Sequence, residues 1–220
     1  MKKIGAVLLF ALACAGPALA AKPPKPVKPN GNLTLTASAT AVTFSASLTL
    51  SGVVKNIPAG TTVELNANPY PYAGFKPSGK TAVVDPAGNY AITGVVPQVH
   101  TQYKVVAKTS PPTESGTTFV RVRLKASFSV SDLTPKRGAS VRFFGTVAAA
   151  HDGKPVLIQR KTATGYKTIT RTVLLDNGTA TSKYSKKLKI RSTGTYRVVV
   201  QSVDQDHDDG TSRSRTLRVH

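Results

Sequence analysis

Histidines and carboxylates are the side chains from which catalysis or metal binding is most often built, and this sequence has four of the first and ten of the second. His100, His151, His207 and His220 fall in loop-like stretches and at the terminus. No His-x-His or His-x-x-x-His spacing puts two imidazoles on one face, so all four are expected to be ordinary surface histidines. A Gly-x-Ser-x-Gly elbow and a Gly-rich phosphate loop are both missing. Between Asn32 and Lys125 the only carboxylates are Glu64, Asp85 and Glu114, too few for the paired acids of glycoside chemistry. The densest acidic stretch is Asp204-Gln205-Asp206-His207-Asp208-Asp209-Gly210. Its alternating Asp residues resemble the front of a calcium loop, but Asp209 and Arg215 stand where an EF-hand needs Gly and Glu. A charged hairpin turn is the better expectation. The reading is of a non-enzymatic chain: no catalytic residue, no cofactor, no metal.

Binding chemistry is easier to find. In Lys183-Tyr-Ser-Lys-Lys-Leu-Lys-Ile-Arg191, a strand that turns Leu188 and Ile190 inward would line up Lys183, Lys187, Lys189 and Arg191 on its outer face. Same-face neighbours on a strand stand about 6.6–6.8 Å apart, which suits the charge spacing of an anionic polymer. The competing reading is that the lysines only protect an edge strand or keep the protein soluble. Tyr70, Tyr72 and Phe75 form an aromatic loop that could contact a partner, or could cap the end of a sheet. Net charge points the same way as the lysine run. The chain carries 30 Lys+Arg against 10 Asp+Glu, a formal +20, which favours anionic partners and disfavours self-association, so a monomer is expected.

The elements that must position these residues read as strands. Leu48, Leu50 and Val54 alternate with polar residues, as do Val63 and Leu65, Val120, Val122 and Leu124, Val141 and Phe143, and Val198 and Val200. Such alternation buries one face of a strand and wets the other. Turn signals such as Asp85-Pro-Ala-Gly-Asn89 and Asp176-Asn-Gly178 separate the runs. The pattern repeats at an offset of 93: Ser47, Leu48, Leu50, Gly52 and Val54 map onto Ser140, Val141, Phe143, Gly145 and Val147, and Tyr103 and Val105 onto Tyr196 and Val198. That period is too long for a solenoid repeat, so each copy is a domain. The predicted strands are near 33–37, 47–54, 61–67, 80–84, 89–95, 102–108 and 117–125, then near 126–131, 140–148, 155–161, 167–174, 179–190, 195–202 and 212–219. About seven strands per copy predict an all-β fold of two tandem antiparallel sandwiches.

Ahead of the repeats, residues 1–20 have the parts of a secretory signal peptide: Lys2 and Lys3, the apolar run Ile4 to Ala13, and the small-residue pattern Ala18-Leu-Ala20. The run is too short for a transmembrane segment. The one cysteine, Cys14, sits within it, in a poor context for lipoprotein processing. Cleavage near Ala20 would leave a secreted or extracytoplasmic chain without disulfides. Residues 21–31 alternate Pro and Lys and predict an extended linker. The domains are then expected at 32–125 and 126–220, joined without a spacer and therefore restricted in their relative motion.

The segments Ser47-Leu-Thr-Leu-Ser-Gly52, Asp85-Pro-Ala-Gly-Asn-Tyr90 and Thr101-Gln-Tyr-Lys-Val105 resemble the tandem bacterial immunoglobulin-like (Ig-like) domains of secreted and cell-surface proteins, particularly actinobacterial ones. The resemblance covers nearly everything from Asn32 onward. It implies Ig-like β-sandwiches, with Tyr103 and Tyr196 where a tyrosine corner would sit, and it fixes fold far more than function. The expected role is a cell-envelope binding or structural module, retained on anionic polymers by the basic face of domain 2. The alternatives are binding of an extracellular protein through hairpin loops, or service as an accessory module of an enzyme system.

Overall fold

The computed structural model describes residues 32–220; the expected signal peptide and Pro/Lys linker lie outside them. Every regular element among the described residues is a strand. The first half holds β1 (Thr36–Ala37), β2 (Ala41–Thr43), β3 (Leu48–Val53), β4 (Thr62–Pro69), β5 (Lys76–Val83), β6 (Asn89–Val95), β7 (Thr101–Ala107), β8 (Thr113–Glu114) and β9 (Thr118–Arg123). The second holds β10 (Lys125–Ala126), β11 (Ser129–Val130), β12 (Ser140–Ala148), β13 (Pro155–Thr162), β14 (Gly165–Val173), β15 (Leu175–Asp176), β16 (Ser182–Lys189), β17 (Gly194–Val200), β18 (Gly210–Thr211) and β19 (Arg215–Leu217).

The strands form an all-β, Ig-like fold with two sheets around each hydrophobic core. In the first half, β1-β3-β6 faces β2-β9-β7-β4-β5, with β8 paired to β7. In the second, β10-β12-β16-β15, extended by β11, faces β14-β13-β17-β18, extended by β19. Pairing is antiparallel except between β2 and β9. Leu48 and Leu50 from one sheet and Val63, Leu65, Val105, Val120 and Val122 from the other make the first core. The second is richer in rings: Phe128 stacks on Phe143 at 5.5 Å, and Phe143 meets Tyr196 edge-on at 5.3 Å. The cores change over ahead of the expected boundary between Lys125 and Ala126. Val122 packs with the first, while Leu124 packs with the second.

Several expected strands are shorter than the alternation suggested. Of residues 179–190 only Ser182–Lys189 form a strand, β16, because the residues before it lie in the turn that Asn177 and Thr181 close. Of the last expected strand, near 212–219, only Arg215–Leu217 remains, as β19, with β18 just ahead of it. The short β2 and β8 escaped the sequence reading, since two or three residues cannot display an alternation.

The tyrosines that hydrogen-bond to a distant backbone carbonyl are not the two at the tyrosine-corner positions. Tyr103 and Tyr196 are buried core residues, but the tyrosines that bond back are Tyr90 and Tyr184. The Tyr90 hydroxyl donates to the carbonyl of Thr34, and the Tyr184 hydroxyl donates to that of Ser127 at 2.7 Å. Gly52 pairs with Tyr90 across β3 and β6, and Gly145 with Tyr184 across β12 and β16. A Cβ on Gly145 would lie 2.3 Å from the Ser127 carbonyl oxygen and 2.7 Å from the Tyr184 hydroxyl; one on Gly52 would meet the equivalent atoms at 2.0 and 2.6 Å. Burial pushes the pKa of both phenols well above the ordinary range, so each stays a donor.

Two stability measurements check this architecture. Gly145→Ala must displace backbone, which costs about 1–3 kcal/mol, while Tyr184→Phe loses one hydrogen bond, worth about 0.5–1.5 kcal/mol. Denaturant melts should therefore rank Gly145→Ala below Tyr184→Phe. A second-domain fragment starting at Arg123 should also outlast one starting at Ala126, because the shorter fragment lacks Leu124. Losing a buried leucine side chain costs about 2–5 kcal/mol.

Candidate functional sites on the basic face and at the domain junction

Alternation along β16 sends Tyr184 into the core and leaves Lys183, Lys187 and Lys189 exposed. Past its end, Ile190 is buried and Arg191 exposed, so the four candidate cations share the outer side. The structure adds a fifth. Lys187 lies directly opposite Arg142 of β12, and Lys189 opposite Ser140. Like charges directly opposite one another destabilise a sheet. Among the described residues no carboxylate lies within 4.0 Å of Lys183, Lys187, Lys189, Arg191 or Arg142. The Arg142 guanidinium instead covers the Phe144 ring at 4.4 Å. A groove of about 380 Å³ runs beside them, lined in part by Ser129, Arg142, Phe144, Lys183 and Ser185.

The aromatic loop is largely engaged within its own domain. Tyr70, Tyr72 and Phe75 are each half-buried. Tyr72 packs edge-on against Tyr70 at 5.6 Å and Phe119 at 6.2 Å, and the Lys104 ammonium sits 5.0 Å from the Phe75 ring. Asn68 holds the loop from below, donating to Gln102 and accepting from the Gly74 amide.

The structure departs most from expectation at the histidines. His100, His151 and His207 are buried and meet where the two halves of the chain join; His220 alone is exposed. The acidic segment between β17 and β18 brings them together by leaving its own domain and docking on the first. The Asp208 amide donates to the Val122 carbonyl at 2.7 Å, and the Leu124 amide donates to the Asp208 carbonyl at 3.1 Å. The His100 amide donates to the Asp206 carbonyl at 2.8 Å. Gly210 closes the dock, since a Cβ there would lie 2.6 Å from the Leu124 carbonyl oxygen. The carboxylates do not converge as a calcium loop requires. Asp204 pairs with Lys154 at 2.8 Å, Asp206 faces His151 and His207, Asp208 faces His100 and Arg121, and Asp209 accepts from the Ser202 amide.

Each buried imidazole has one nitrogen committed to backbone. His100 Nδ1 accepts the buried Val122 amide at 2.9 Å, so its proton sits on Nε2, 3.5 Å from Asp208. Burial pushes the His100 pKa down, and the Asp208 carboxylate offsets part of that shift. His207 Nε2 donates to the Gln98 carbonyl at 2.8 Å, and His151 Nδ1 donates to the Ala149 carbonyl at 3.3 Å. His151, His207 and Asp206 form a group in which one possible ligand atom from each lies within 4.8 Å of the others.

A second cationic surface was not legible in the sequence. A cleft of about 830 Å³ opens at the junction between Arg123, Lys125, Arg213 and Arg215, with Asp209 on its wall. The first two of these residues lie 90 positions from the last two in the chain, and no local signal connects them.

No protein-family model matches this chain, and no curated protein matches it in sequence. Similar solved structures include a tetra-tandem repeat from the extending region of a large adhesion protein, with TM-score 0.38 and 15% identity over 86% of this chain and 50% of that one. The Yersinia pseudotuberculosis adhesin InvE gives 0.37 and 11% over 85% of this chain and 60% of that one. Murine CEACAM1b gives 0.33 and 16% over 86% and 100%. The chain thus spans half to three-fifths of the two adhesin structures. With scores below 0.5 and identities below 25%, these likenesses say nothing of what this chain binds.

The junction hydrogen bond generates a prediction. His100→Ala leaves the buried Val122 amide without its acceptor, at a cost of about 1–3 kcal/mol. Hydrogen exchange should report faster opening of residues 120–124 in this variant, while β16 exchanges as in the wild type.

Proposed function

We propose that this chain is a non-enzymatic, secreted or extracytoplasmic binding module of the cell envelope, held on anionic polymers by the outer face of β12 and β16. The observation that carries the proposal is the uncompensated pairing of Lys187 with Arg142, flanked by Lys183, Lys189 and Arg191. A sheet face built with opposed like charges and no carboxylate among them is disfavoured alone and relieved by a bound polyanion. The charge also falls unevenly: the sequence from Ala126 onward has 17 Lys+Arg against 7 Asp+Glu, and that from Asn32 to Lys125 has 8 against 3. The half-buried packing of Tyr70, Tyr72 and Phe75 weighs against the loop-mediated protein binder, which would keep those rings free.

Binding to a soluble polyanion such as polyphosphate should weaken steeply with added salt, because cationic side chains displace small counterions that salt drives back. Changing Lys183, Lys187, Lys189 and Arg191 together to Gln should lower affinity and reduce the slope of log K against log salt by about 3 if all four engage. The same change at Lys55, Lys76, Lys80 and Lys108 should do less. Equal losses in the two variants would mean that net charge alone matters; no binding by the wild type at moderate salt would leave the charge a solubility device.

A further inference from the structure

Two lone-pair acceptors face each other in the buried junction. Because a carbonyl oxygen can only accept, the contact of His207 Nε2 with the Gln98 carbonyl places the ring proton on Nε2. His207 Nδ1 is then a bare lone pair, 3.0 Å from Asp206 Oδ2. The same reasoning holds for His151, whose Nδ1–H is committed to the Ala149 carbonyl. Its Nε2 lone pair lies 3.6 Å from Asp206 Oδ1 and 4.0 Å from Asp204 Oδ2. The His207 side chain is only 2% exposed, and neither His207 Nδ1 nor Asp206 Oδ1 has a hydrogen-bond partner. Buried polar atoms without partners are rare and costly. One proton on His207 would ease its contact with Asp206 Oδ2, but it would leave Asp206 Oδ1 without a partner.

We infer that His151 Nε2, His207 Nδ1 and the Asp206 carboxylate form a binding site for a divalent transition-metal ion of the zinc class. Imidazole with carboxylate is a donor set for such ions, whereas calcium takes oxygen alone. Tetrahedral bonds of about 2.0–2.1 Å put neighbouring ligand atoms about 3.3–3.4 Å apart; the 3.0 and 3.6 Å separations here lie on either side of that. Both imidazoles already donate their other N–H to a backbone carbonyl, the arrangement that orients metal-binding histidines. Oδ2 of Asp204, whose Oδ1 is held by Lys154 at 2.8 Å, or a water supplies the fourth position. The ligands come from the β12–β13 and β17–β18 loops of one domain, and the second of these carries the dock onto the other domain. Metal would therefore tie the two loops together and stiffen the junction.

The test is calorimetric titration of the full chain, stripped with EDTA, with zinc alone, and with cobalt read by its visible absorption. The expected result is one ion per chain, a tetrahedral cobalt spectrum and a raised melting temperature. His151→Ala and the near-isosteric Asp206→Asn should each weaken zinc by at least the roughly 10–100-fold that changes outside the ligand set cost. His220→Ala should bind as wild type, and millimolar calcium should not compete. If either ligand variant fails to fold by circular dichroism, the other decides. The inference is overturned if the wild type takes up no zinc at 100-fold excess, if the folded ligand variants bind as tightly as wild type, or if calcium displaces the zinc.

Discussion

In each half a tyrosine hydroxyl reaches through a glycine notch to a carbonyl beside the first short strands, that of Thr34 just before β1 and that of Ser127 between β10 and β11. The only cysteine in the sequence, Cys14, precedes the described residues, and no disulfide ties either sheet pair together. The first strands are short: β1 has two residues, and β10 and β11 have two each. Elements so small contribute few ladder bonds, so the side-chain bond from Tyr90 or Tyr184 does a large share of fixing where the domain begins. That bond exists only because Gly52 and Gly145 leave room for both the carbonyl and the phenol. The same residue pair, used twice at nearly the same offset, is the strongest sign that the two halves are copies of one unit.

What the copies do not share is the acidic segment between β17 and β18, the part that joins them. Its backbone bonds to Val122 and Leu124 continue the exit of the first domain as a short parallel bridge, Arg123 with Asp208. The chain passes from one core to the next in two residues, Val122 to Leu124, with Asp208 bonded on either side. The polar side chains drawn into this dock account for the burial of three histidines. His100 is satisfied by the Val122 amide, while His151 and His207 turn bare nitrogens toward one carboxylate. Burial and committed tautomers, rather than any spacing, distinguish the second arrangement.

Charge is distributed by a different logic. Lys183, Lys187 and Lys189 owe their common face to strand alternation alone, and pairing with β12 adds Arg142 beside them. The junction cleft gathers Arg123, Lys125, Arg213 and Arg215 through folding of the whole chain.

The sequence by itself determined whatever depends on local period. Alternation placed β3, β4, β9, β12 and β17, the turn residues separated them, and the offset of 93 pointed to two units. The phase of β16 was legible because Leu188 and Ile190 fall on the opposite face from Lys183, Lys187 and Lys189. Long-range pairing was not. The resemblance put Tyr103 and Tyr196 at the tyrosine-corner positions, yet the tyrosines that bond to a distant carbonyl are Tyr90 and Tyr184, set opposite Gly52 and Gly145 by cross-strand register. The histidines read as surface residues because His151 is 51 positions from His100 and 56 from His207, and nothing local brings them together. Only the tertiary structure decided that they meet, because the docking of one loop on the neighbouring domain is a contact between distant parts of the chain, and side-chain periodicity carries no information about such contacts.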